Sequence, residues 1–89
     1  MSDVELRLRS TGLTWRNVAG ELIVLDLHGS VYLAANGTGA LVWDTLSRGA
    51  TRGALVELIV DRYGIAEAAA AIDVDDFLGR LSALGLIET

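Results

Sequence analysis

Reactive chemistry has few places to reside in this chain of 89 residues. His28 is the one histidine and cysteine is absent, so a nucleophile, a base and an orienting group cannot be assembled around a thiol or an imidazole pair. Carboxylates concentrate at Asp73, Asp75 and Asp76. An acid/base pair, however, needs two carboxyls in contrasting environments, and neighbouring helical positions point apart. The same run, DVDD, lacks the glycine and glutamate that continue a calcium loop, and His28 has no second histidine with which to share a metal. Asn36-Gly37-Thr38-Gly39 has the glycines of a phosphate-cradling loop without its lysine, and a turn followed by a helix start accounts for it. Catalysis, a cofactor and a metal are therefore not expected, and binding is the remaining kind of function.

Those residues must be held by a fold, and the composition allows one. Hydrophobic residues make up 52% of the chain and charged residues 21%, enough apolar surface to offset chain entropy in a single domain spanning 1–89. The seven basic residues, all arginine, face twelve acidic ones for a net charge of -5. That field repels a phosphate backbone and argues against nucleic acid as a partner, but suits a peptide with some positive charge near Asp73, Asp75 and Asp76. The first ten residues lack the apolar centre of a signal peptide, and no apolar run reaches the ~20 residues that span a bilayer. A soluble cytoplasmic protein with no membrane partner is expected.

The most informative stretch runs from Leu22 to Trp43, where a period-two pattern becomes a helical one. Strands are predicted at 13–18, 21–27 and 31–35, joined by the turns Ala19-Gly20 and His28-Gly29-Ser30. The second is apolar on both faces, as in the middle of a sheet. In the third, Val31, Leu33 and Ala35 alternate with Tyr32 and Ala34, and this strand is an edge. Helices are predicted at about 38–48, capped by Asn36 or Thr38, at 52–63, capped by Thr51 and ended by Gly64, and at 66–84. In the last, Ala70, Val74, Phe77, Leu81 and Leu84 share one stripe, with Asp73, Asp76 and Arg80 along its margin. Trp15 and Trp43 are expected in the core.

The residues Leu25-Asp26-Leu27, Tyr32-Leu33, Asn36-x-x-Gly39, Trp43, Asp73-Val74, Phe77-Leu78, Leu81 and Gly85-Leu86 carry a likeness in their order and spacing. From Leu13 to Glu88 the chain resembles the PqqD-like proteins, the peptide-recognition elements of pathways for ribosomally made, modified peptides, including the small discrete proteins of lasso-peptide clusters. The resemblance implies an α+β, winged-helix-like fold, a three-stranded antiparallel sheet followed by three helices. It also implies that the leader of a precursor peptide lies between the third strand and the third helix, contacting Val31, Tyr32, Leu33 and Ala34 on one side and Asp73, Asp76, Phe77 and Arg80 on the other. Binding would occur by addition of a strand. The partners would be the leader, a leader peptidase, a ring-forming enzyme and other maturation enzymes. Leu33 is expected to be a contact whose replacement by aspartate weakens binding without disturbing the fold. Two departures stand out: Gly37 replaces a proline common after the asparagine, and Ala35 replaces a larger apolar residue before it.

A winged-helix DNA-binding module shares the architecture, but acidic charge and the absence of a basic stripe oppose it. A structural subunit pairing its edge strand in a homodimer is the third alternative.

Overall fold

The stretch from Leu13 to Asn36 folds as an antiparallel meander in the computed structural model, which describes residues 4–88. Its strands are β2 (Leu13–Val18), β3 (Glu21–Asp26) and β4 (Val31–Asn36), following a short β1 (Glu5–Leu8). Strand β3 is the central one, paired with β2 from Val18↔Glu21 to Leu13↔Asp26 and with β4 from Glu21↔Asn36 to Leu25↔Val31. The Ala19-Gly20 turn has positive φ at both residues, 53° and 83°. That is the requirement of the tight hairpin turn matching strand twist, and Ala19 meets it despite its side chain. At the other hairpin, Asp26 Oδ1 accepts hydrogen bonds from the His28 and Ser30 amides at 2.9 and 2.7 Å. Those bonds give His28 a place in an exposed turn.

Helices α1 (Thr38–Leu46), α2 (Arg52–Tyr63) and α3 (Glu67–Ala83) follow, with two-residue strands β5 (Ala50–Thr51) before α2 and β6 (Ile87–Glu88) after α3. The α+β, winged-helix-like expectation holds, with an addition. Strand β1 pairs with β5 through Glu5↔Thr51 and Leu6↔Ala50, and with β6 through Arg7↔Glu88 and Leu8↔Ile87. It thereby makes a second small sheet that straps the helices together. Helix α2 starts on Thr51, whose hydroxyl accepts from the Ala54 amide at 3.1 Å, and stops at left-handed Gly64. Helix α1 starts differently. Its N-cap is Gly37, at φ 56° and ψ -123°, and neither Asn36 nor Thr38 gives a side-chain cap.

One core unites the layers. Leu22, Val24 and Leu33 from the meander meet Val42, Trp43 and Leu46 of α1, Leu55 and Ile59 of α2, and Ala70, Val74, Phe77 and Leu81 of α3. The α3 stripe is as expected except for Leu84, which caps the helix and is exposed. Trp43 is fully buried, whereas Trp15 is at the rim and 39% exposed, its ring edge-to-face with Trp43 at 5.5 Å and 79°. Trp15 is thus a lid on the core rather than part of it.

Candidate functional site

Strand β4 forms no ladder on its outer side among the described residues, because the sheet order is β2-β3-β4. Its backbone donors and acceptors there are available to another chain. Beside the far end of this strand lies a groove of about 500 Å³, lined by Ala34 to Gly39 on one side and by Asp73, Asp76, Phe77 and Arg80 of α3 on the other. This volume falls within the range of small-ligand sites.

Small residues open the groove, and Phe77 packs against its base. A Cβ placed on Gly39 would stand 3.0 Å from Phe77 Cε1 and 3.1 Å from the Ala35 Cβ. Gly39 is therefore favoured by close packing, and its spacing from Asn36 has a steric cause. Gly37 has open space around it but a positive φ, so its role is conformational. Proline, fixed near φ -65°, cannot adopt that backbone, and the entry to α1 here differs in shape from one built on Asn-Pro.

Five of the eight expected contact residues line the groove: Ala34, Asp73, Asp76, Phe77 and Arg80. Val31, Tyr32 and Leu33 do not. They stand nearer the start of β4, away from the groove, and the pairing shifts there: Val24 faces Leu33 while Leu25 faces Val31, so Tyr32 is an extra, bulged residue. Strict alternation is broken there. Leu33 is buried at 3% and Tyr32 packs against the core, while Val31 is 62% exposed. Leu33 can therefore offer a partner only its backbone.

Tyr32 has a structural tie that sequence reasoning missed. Arg9 donates from Nη2 to the Tyr32 hydroxyl at 3.1 Å, from Nη1 to the Gly85 carbonyl at 3.4 Å and from Nε to the Thr11 carbonyl at 3.1 Å. One guanidinium thus holds the start of β4 beside the end of α3, setting the relation of the two walls. Ala35, Asn36, Gly37, Thr38 and Gly39 were also absent from the expected contacts, although the break in pattern at Asn36 marks them as the corner where strand becomes helix.

Charge on the α3 wall is uneven. Asp75 is occupied by Arg52 of α2, which donates to its two oxygens at 2.6 and 2.8 Å. These hydrogen bonds hold the Asp75 carboxyl below its usual range and raise the Arg52 guanidinium. Asp73, Asp76 and Arg80 form no ion pair among the described residues, even though Asp76 and Arg80 are four apart on one helix. Their charges remain available to an occupant. Thr38 has the only hydroxyl in the lining, and no histidine joins it. The groove can pair backbone, bury a few apolar atoms and match charge.

Residues 21–87 match the family model of coenzyme PQQ synthesis protein D (PqqD). The chain belongs to the PqqD family. No curated protein matches it. Two solved structures share the PqqD-family fold seen here. TbiB1 in complex with the TbiA(beta) leader peptide superimposes with a TM-score of 0.80 at 23% identity, covering 92% of this chain and 94% of that one. A lasso peptide synthetase B1 complexed with the leader peptide gives a TM-score of 0.80 at 21% identity, covering 97% and 100%. In this PqqD-family chain the matched region includes the whole groove but neither β1 nor β2, and the pairing of β1 and the link through Arg9 complete the scaffold.

Proposed function

We propose that this PqqD-family protein binds the leader of a ribosomally made precursor peptide as a fourth strand on β4, under α3, and presents it to separate processing enzymes. A leader peptidase and a ring-forming enzyme of a lasso-type pathway are the proposed recipients. The protein contributes recognition, not bond cleavage. The observation that carries this reading is the unpaired edge of β4 running into the groove against α3. The two similar structures hold leader peptides, which supports the same use here.

The other free edge of the meander, β2, is less suited to the task. Arg16 and Asn17 interrupt it, a usual protection of exposed edges, whereas β4 carries neither a charge nor a proline from Val31 to Asn36. Fluorescence anisotropy with labelled leader peptides of lasso-type precursors, the TbiA(beta) leader among them, tests the proposal, with Gly39→Ala as the groove variant. The added methyl crowds Phe77 and Ala35 in the groove wall, and binding is expected to weaken by about tenfold, some 1.4 kcal/mol, with the circular dichroism spectrum retained. Unchanged affinity in the folded variant would move the site elsewhere.

A further inference from the structure

The walls of the groove run in opposite directions, and this orders its charges. Arg9 joins Tyr32, at the start of β4, to Gly85, past the end of α3, while Phe77 in mid-helix meets Ala35 and Gly39. Asp73 and Asp76 therefore stand towards the end of β4, and Arg80 towards its start. The N-terminus of α1 adds about half a positive charge at the acidic end, too little to cancel two carboxylates. Arg9, which has no carboxylate partner among the described residues, reinforces the basic end.

A strand added to β4 is favoured in the antiparallel sense, as the pairing of β3 already is. Its N-terminal part then lies by Asp73 and Asp76 and its C-terminal part by Arg80. The seven helical steps from Asp73 to Arg80 span about 10 Å. Alternate strand residues facing the same side cover about 13 Å over four steps, a span that flexible side chains accommodate. Resting on the peptide-binding reading above, we propose that the groove reads charge order. Its occupant has a basic, an apolar and an acidic residue at alternate positions from N to C terminus, with the apolar one over Phe77.

Labelled peptides containing KTLTE, ETLTK or QTLTQ within one strand-forming frame test this on the unmodified protein, alongside the precursor leader. KTLTE is expected to bind about tenfold more tightly than ETLTK at low salt, with the difference fading at 1 M salt. In the triple variant Asp73→Arg, Asp76→Arg, Arg80→Asp, the preference should reverse. These three side chains are exposed, so the fold is expected to survive. Equal binding of KTLTE and ETLTK would overturn the charge order while leaving strand addition intact, and preference for ETLTK would overturn the orientation. Failure of every peptide, the leader included, would overturn the peptide-binding reading and this inference with it.

Discussion

Ala19 is the only non-glycine residue at positive φ among those described. A left-handed alanine costs about 1 kcal/mol, and asparagine tolerates that conformation through local hydrogen bonding. Ala19→Asn should therefore stabilise the protein by about 0.5 to 1 kcal/mol in a urea titration, with leader affinity unchanged because neither residue of the turn lines the groove. Leu33 leads to the opposite expectation. At 3% exposure opposite Val24, aspartate would bury an unpaired carboxyl, costing more than about 3 kcal/mol. Loss of thermal cooperativity, rather than selective loss of binding, is the expected result. The residue types were readable, since Gly39, Phe77 and the Asp73, Asp76, Arg80 margin all stand where the pattern placed them. The direction of Val31 was not, because the bulged Tyr32 breaks its alternation with Leu33 and leaves no mark in local composition.

At the scale of elements, helix α3 is fastened to α2 by Arg52 and Asp75 on the exposed surface. Because the hydrogen bonds from Arg52 lower the folded-state pKa of Asp75, the pair's contribution is present above the unfolded carboxyl value of about 3.9 and is lost as pH falls through the folded value. Asp75→Asn should lower Tm slightly at pH 7 and at low salt, and the difference from the parent should close under strongly acid conditions. A constant difference at all pH values would assign the effect to packing. Helix starts and stops were legible where a residue type marks them, as at Thr51 and left-handed Gly64. At α1 the start near 38 was legible but its cap was not, since Gly37 begins that helix by backbone conformation alone. Strand β1 escaped notice for a related reason: Glu5 to Leu8 is too short to announce itself, and its partners β5 and β6 lie more than forty residues away.

At the scale of the molecule, the Leu22 to Trp43 stretch is half a groove, and α3 is the other half. The two are brought into register by the shared core and by Arg9, neither of which local pattern can supply. The same sheet also offers β2 as a second free edge, a built-in control for the central claim. Amide hydrogen exchange, read residue by residue with and without the precursor leader, measures strand addition directly. The account predicts added protection at alternate amides of Val31 to Asn36 and slower exchange across Asp73 to Arg80, with Leu13 to Val18 unchanged. Protection on β2, or tight binding that leaves β4 unaltered, would contradict it.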